Sequence, residues 1–102
     1  MIVTQQTTQA NTPTLQSTAT ALASNTARTG WQIQNQDNSN PLKVCLGVGA
    51  SSSVYHMVLK ACGSAADGTG GSFSELDGVV YTGIVTVYSA GTASYTVLEH
   101  AA

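Results

Sequence analysis

Residues 27–53, ARTGWQIQNQDNSNPLKVCLGVGASSS, carry the pattern that decides the fold. Residues 31–35 (WQIQN) alternate large side chains with glutamines, and residues 42–46 (LKVCL) alternate again. Such alternation is typical of β-strands with one buried face. The residues between them, QDNSNP, favour a turn, and the following GVGASSS is typical of a loop. The stretch therefore predicts two short strands joined by a turn.

Similar segments follow at intervals of roughly 8–12 residues, which is typical of β-sandwiches and barrels. We expect strands over 54–59, 73–76, 79–90 and 94–100, and residues 15–24 are a candidate first strand. The segment 79–90 could be one long strand or two, with Gly83 marking a bulge or a close approach. No segment has a sustained helical period. The prediction is an all-β fold, a small antiparallel β-sandwich of about seven strands, jelly-roll-like.

The composition is unusually poor in charge. Charged residues make up 8% of the chain, against roughly 25% in typical soluble proteins. The basic residues are Arg28, Lys43 and Lys60, and the net charge is -2, which argues against binding of nucleic acid or of an anionic membrane surface. Interface cores are depleted in charge, so we expect much of the surface to contact another chain. The alternative is a monomer with a neutral, hydrated surface.

Residues 1–23 contain no charge and no strong periodicity. We expect an extended N-terminal arm here, followed by a β-sandwich domain over 24–102. The arm would order on a neighbouring chain, and a frayed terminus is the alternative. The first ten residues lack the basic and apolar parts of a signal peptide, which predicts synthesis in a cytosol. The apolar side chains that would anchor the arm are Ile2, Val3, Leu15 and Leu22.

The motifs that usually carry chemistry are missing from the sequence. His56 and His100 are not spaced with other ligands as a zinc site requires. Ser51–Ser53 lack a nucleophile motif, and neither glycine-rich loop has the layout of a phosphate-binding loop. The tyrosines could line a sugar-binding surface, but their alternation favours core positions. We expect no catalytic, cofactor or metal site, and therefore no enzymatic activity.

Two groups of residues are predicted to be structural. Arg28 and Trp31 flank the entry to a strand, and Glu99 is the natural charge partner of Arg28 if the first and last strands pair. A lone arginine among neutral partners commonly fixes a terminus or loop through several hydrogen bonds. Cys45 and Cys62 could form a disulfide across adjacent strands. Two buried free thiols are the alternative.

Residues 27–100 resemble small virion accessory proteins of tailed bacteriophages. The resemblance lies in an arginine before WQIQN, in LKVCLGVGAS after the turn, in HMVL, and in YTGIVTVYSAGTASYTVLE. It implies a compact β-sandwich that works as a homo-oligomer, commonly a trimer. The implied function is that of a capsid decoration (cement) protein, made in the host cytoplasm and bound to the major capsid protein in the virion. A tail, fibre or baseplate accessory, or a module that binds host glycans, is the alternative.

Overall fold

A computed structural model describes residues 6–12, 18–76, 79–91 and 93–101. These residues contain eight β-strands and no helix, so no helix among them could cross a membrane. The strands are β1 (Gln6–Thr12), β2 (Ala19–Leu22), β3 (Arg28–Asn35), β4 (Leu42–Leu46), β5 (Met57–Leu59), β6 (Ser72–Leu76), β7 (Val85–Tyr88) and β8 (Tyr95–Ala101).

The strands form two four-stranded antiparallel sheets with a jelly-roll topology. The first sheet has the order β1-β8-β3-β6, and the second has the order β2-β7-β4-β5. Among the described strands, only β4 and β5 are both consecutive in sequence and adjacent in one sheet. Every other connection crosses between the sheets, as in the eight-stranded double Greek key. The predicted all-β, jelly-roll-like sandwich is confirmed.

The predicted arm, residues 1–23, contributes an edge strand to each sheet over its described parts. Strand β1 pairs with β8 along its whole length, and β2 pairs with β7. A backbone ladder does not need apolar side chains, which explains how so polar a segment joins the sandwich. Leu22, predicted to anchor on a neighbour, is 7% exposed and lies in the core of this chain. Three other predicted anchors lie outside the described residues: Ile2, Val3 and Leu15.

The core lies between the two sheets and is built from the inward-facing residues of the central strands. Trp31 and Ile33 of β3 are fully buried, as the alternation of WQIQN predicts. The Trp31 ring also packs on Phe73 of β6, with ring centroids 5.3 Å apart. The other buried members of the core are Leu22, Leu42, Val44, Leu59, Val85, Val87, Tyr95 and Val97.

The long strand predicted over 79–90 is shorter than expected, because only Val85–Tyr88 forms β7. In the part of this segment that precedes β7, the carbonyls of Tyr81 and Gly83 accept hydrogen bonds from the Arg28 side chain instead of a neighbouring strand. The predicted close approach at Gly83 is confirmed, since a Cβ atom there would lie 2.5 Å from the Tyr81 hydroxyl.

The glycine-rich segment after β4 folds across the outer side of the second sheet. Ala50 is fully buried, and its amide donates to the Thr86 hydroxyl at 3.2 Å. That hydroxyl in turn donates to the Gly47 carbonyl at 2.7 Å. The loop therefore covers Thr86 of β7 and leaves the neighbouring Lys43 end of the sheet accessible.

Candidate interaction surfaces

Arg28 closes one end of the sandwich through four hydrogen bonds. Its Nε donates to Glu99 Oε2 at 2.7 Å, which confirms the predicted pair. One terminal nitrogen donates to the carbonyls of Tyr81 and Gly83 at 2.9 and 3.0 Å, and the other to the Ala23 carbonyl at 2.7 Å. The guanidinium therefore connects β3 and β8 of the first sheet to the segments that follow β2 and precede β7 in the second.

Two carboxylates flank Trp31 on the inner side of the first sheet. Glu99 of β8 and Glu75 of β6 both lie opposite Trp31 in the strand register. Glu75 Oε1 accepts from the indole nitrogen at 2.7 Å and from the Tyr81 amide at 3.2 Å. Both carboxylates are thus engaged in holding the fold. Sequence reasoning missed this role of Glu75, because the segment FSEL contains no signal that its carboxylate would accept a hydrogen bond from a buried indole.

Asn35 closes the opposite end of the sandwich. Its side chain is fully buried, and its amide nitrogen donates to the carbonyls of Asn40 and Leu59 at 2.9 and 3.1 Å. Its Oδ1 accepts from the Asp37 amide at 2.9 Å, and its carbonyl accepts from the Cys62 thiol at 3.3 Å. The signal for this role was present in the sequence, because Asn35 is the polar residue at an inward position of WQIQN.

The disulfide considered for Cys45 and Cys62 does not form, and both residues are buried free thiols. Strand β4 pairs with β5 so that Val44 lies opposite Met57, at the start of β5. Cys45 therefore lies beyond one end of this ladder, whereas Cys62 follows Leu59 at the other end. A disulfide requires Cα atoms within about 7 Å, and this register keeps the two cysteines apart.

The glycine-rich loop over residues 63–72 is organised by an aspartate. Asp67 accepts from the Thr69 hydroxyl at 2.6 Å and from the amides of Thr69 and Ser64 at 2.9 and 2.8 Å. The Thr69 hydroxyl, followed by these amides, lowers the pKa of Asp67 below its ordinary value of 3.8. The carboxylate therefore occupies two amides of this loop that an anion could otherwise use.

Within the described part of the chain, no three His, Cys, Asp or Glu side chains are close enough together to hold a metal ion. His56 Nδ1 accepts from the Leu46 amide at 2.9 Å, which fixes the ring beside β4. His100 is half-buried at the other sheet, on β8. The two imidazoles are therefore held on different sheets.

The outer side of the first sheet is a surface without Lys, Arg, Asp or Glu side chains. In β3, β6 and β8 these residues are Arg28, Glu75 and Glu99, and all three belong to the inner side, whereas His100 of β8 alternates with Glu99 and belongs to the outer side. The outer side contains a shallow depression of about 190 Å³. We call this surface the amide face; its residues are Gln32, Gln34, Ser72, Ser74, Thr96 and Leu98.

Two side chains of the amide face are held in place by their neighbours. Gln34 Nε2 donates to the carbonyls of Gly68 and Gly70, each at 3.2 Å. Gln36 Nε2 donates to Gln34 Oε1 at 3.0 Å and to the Thr96 hydroxyl at 3.2 Å. The Gln34 and Thr96 side chains therefore have defined positions, which lowers the entropy that they lose when a partner binds.

A second accessible surface lies on the outer side of the other sheet, around Lys43. The Lys43 ammonium lies 4.6 Å above the centre of the Tyr55 ring and donates to the Ser52 carbonyl at 2.8 Å. Val58 of β5 lies opposite Lys43 in the register. Val54, Tyr55 and Val58 are 47%, 43% and 49% exposed. We call this surface the Lys43 surface.

Comparison of the chain with protein-family models, with curated proteins and with solved structures gave no match. The fold itself defines the class, which is a single jelly-roll β-sandwich closed at one end by Arg28 and at the other by Asn35. Jelly rolls occur in viral capsid proteins, lectins and enzymes, so function has to be inferred from the surfaces of this chain.

Proposed function

We propose that this chain is a non-enzymatic structural protein of a bacteriophage virion, a capsid decoration protein that bridges capsid subunits. It would bind the major capsid protein as a homo-oligomer, with a trimer as the expected state. The observation that carries the proposal is the amide face, a surface of a jelly-roll sheet that has no Lys, Arg, Asp or Glu side chain. The sequence resemblance to small virion accessory proteins supports the same function.

The chemistry of the amide face suits a permanent contact. Burying an unpaired charge in an interface costs far more free energy than burying an amide or hydroxyl that regains a hydrogen bond. Gln32, Ser74 and Leu98 lie side by side across three strands, so they present donors, acceptors and apolar area together. A partner surface of similar composition could therefore cover this face without leaving a charge desolvated.

The closed ends of the sandwich suit a mechanical role. Arg28 joins the two sheets at one end, and the buried Asn35 amide joins β3 to the carbonyl that ends β5 at the other. Load applied to one sheet is therefore transmitted to the second through hydrogen bonds as well as through the core. Many copies on one shell would multiply weak individual contacts through avidity.

One observation favours the alternative of a host-glycan-binding module. The depression on the amide face, about 190 Å³, is lined by Gln32, Thr96, Val97 and Leu98. Amide and hydroxyl groups can hydrogen-bond sugar hydroxyls, but no aromatic ring is among these lining residues. The decoration function therefore remains the stronger proposal, and a tail, fibre or baseplate location is a variant of it with fewer copies per particle.

The proposal can be tested by placing one carboxylate on the amide face. We expect Gln32→Glu to weaken binding to particles of the cognate phage by about tenfold or more, because the new charge would be buried without a partner. Thr20→Glu is the matched control, since Thr20 is also an exposed strand residue but lies on the other sheet. It should bind as the wild type does. Co-sedimentation with purified particles measures the binding of both variants, and native mass spectrometry measures the number of chains in the oligomer.

The outcomes separate the candidate functions. Saturation at many copies per particle supports a decoration protein, whereas a few copies support a tail or baseplate location, because closed symmetry sets the stoichiometry. Saturable binding to a glycan that Gln32→Glu abolishes, without particle binding, would support the glycan-binding module. A monomer that binds neither particles nor glycans would overturn the proposal.

A further inference from the structure

The two sheets leave four strands with a free edge. Strands β1 and β6 are the outermost strands of the first sheet, and β2 and β5 are those of the second. Among the described strands, each of these four has a hydrogen-bonded neighbour on one side only. The backbone amides and carbonyls on the other side are a template for pairing with another chain, unless the edge is short, bulged, charged or interrupted by proline.

Three of these edges have features that discourage pairing. Strand β5 has three residues and is followed by Lys60. Strand β2 has four residues, and its ladder with β7 is interrupted between Thr20 and Leu22. Strand β6 carries an inward-pointing charge, because Glu75 accepts a hydrogen bond from the Trp31 indole. Short length, a bulge and an inward charge each protect a sheet edge from another strand.

Strand β1 has none of these features. It has seven residues, QTTQANT, without Lys, Arg, Asp, Glu or Pro. Its ladder with β8 runs without a register shift from the pair Gln6–Ala101 to the pair Thr12–Tyr95. In such a ladder, alternate amides and carbonyls of the edge strand point away from the neighbouring strand. The edge of β1 is therefore the longest free edge among the described strands, and nothing in its sequence opposes pairing.

We infer that β1 pairs antiparallel with β1 of a second copy of this chain, about a two-fold axis. Full overlap of the seven residues places Gln9 opposite Gln9 and Thr7 opposite Asn11. No charged side chain then faces its own copy, and amide and hydroxyl side chains can hydrogen-bond across the two strands. A shift by two residues would leave two residues of each strand unpaired. Contacts between identical surfaces of two copies are the commonest in homo-oligomers.

This pairing makes the amide faces of the two copies continuous. Identical edge strands pair antiparallel about an axis perpendicular to the sheet, so the outer sides of both sheets face the same way. The two first sheets form one sheet with the order β6-β3-β8-β1-β1-β8-β3-β6. The inference goes beyond the decoration function, because it concerns a contact between copies and its experiment needs no particles. The trimer that the resemblance implies would need a different contact, since a two-fold contact closes with two copies.

Charges of opposite sign at residue 9 test the pairing. We expect a reversible dimer in sedimentation velocity, with a dissociation constant between about 1 µM and about 1 mM, because one strand pair buries less area than a standard interface. Gln9→Lys and Gln9→Glu should each weaken the dimer by about fivefold or more, since like charges directly opposite each other destabilise a strand pair. An equimolar mixture of the two variants should regain the wild-type affinity. Native mass spectrometry, with one variant isotope-labelled, counts the mixed dimer.

Thr20→Lys and Thr20→Glu are the matched controls, because Thr20 is an exposed residue of an edge strand on the other sheet. Each should dimerise as the wild type does, and mixing them should change nothing. Amide hydrogen exchange gives a second measurement. The β1 amides that face β8 should be protected at every protein concentration, whereas the amides between them should become protected only as the dimer forms. The Gln9 variants should keep the first kind of protection, which shows that they fold, and lose the second.

Three results would overturn the inference. They are a chain that stays monomeric up to about 1 mM, an oligomer of any size that the Gln9 variants do not weaken, and weakened variants whose mixture does not recover. The second result would place the contact elsewhere, and the third would mean that residue 9 does not face its own copy. A monomer that binds particles would leave the decoration function standing, whereas a dimer that binds no particles would leave this inference standing.

Discussion

Replacing Arg28 by methionine tests how the sandwich is closed. The Arg28 side chain is 0% exposed, and its four hydrogen bonds reach one carboxylate and three backbone carbonyls. Methionine occupies much of the same volume but donates no hydrogen bond. The substitution therefore removes the polar contacts between the two sheets at this end while leaving little cavity.

The size of the effect follows from these contacts. Removing one partner of a buried ion pair costs about 3–5 kcal/mol, since the other charge is left without compensation. The remaining partner, Glu99, is 15% exposed and can regain some hydration, while the three carbonyls lose their charged donor. The contributions of contacts in one hydrogen-bond network do not add, so the same range covers the whole substitution. We expect Arg28→Met to lower the free energy of unfolding by about 3–5 kcal/mol, a large part of the roughly 5–15 kcal/mol typical of a domain.

Urea unfolding followed by tryptophan fluorescence is the assay. Trp31 is the only tryptophan of the chain, is fully buried, and hydrogen-bonds Glu75 beside the affected site. Arg28→Lys should lose about 2 kcal/mol, because one ammonium cannot reach four acceptors that a planar guanidinium reaches. Lys60→Met serves as the surface control and should stay within about 0.5 kcal/mol. A loss below about 1 kcal/mol for Arg28→Met, or a wild-type midpoint for Arg28→Lys, would refute the reasoning.

Three further predictions concern the opposite end of the sandwich and the loops. Gly70→Ala should lower the free energy of unfolding by about 2 kcal/mol or more in urea titrations, because its Cβ would clash with the Asn35 carbonyl oxygen. Gly68→Ala, where a Cβ meets open space, tests strain at positive φ alone. The pKa of Asp67 is lower in the folded chain, so its hydrogen bonds stabilise the 63–72 loop above the unfolded pKa and are lost as pH falls through the folded pKa. The protection factors of the loop amides in hydrogen exchange, which correct for the slower intrinsic exchange in acid, should therefore fall as pH falls, and Asp67→Asn should remove this dependence. Both cysteine thiols should react with a thiol reagent only after unfolding, and fast labelling of the native chain would contradict their burial.

The candidate sites differ in how far the sequence could predict them. The Arg28–Glu99 pair was predictable on the condition that the strand entered at Arg28 pairs with the last strand, because the chain has one arginine. The amide face follows from the same alternation that buries Trp31 and Ile33, since the residues between them must face outward. The Lys43 surface was not predictable, because Lys43 and Val58 come together only through the pairing of β4 with β5.

Alternation between buried and exposed positions is a local property of an extended chain, so the sequence alone was enough to predict the β class, most strands and the inward residues of β3. The start of β7 depended on a distant side chain, because the Arg28 guanidinium donates hydrogen bonds to the carbonyls of Tyr81 and Gly83, which precede this strand. The separation of the two cysteines depended on the register of β4 with β5, and the order of strands in each sheet depended on which strands pair. Pairing and register both join residues that are far apart in the chain, so only the tertiary structure decides them.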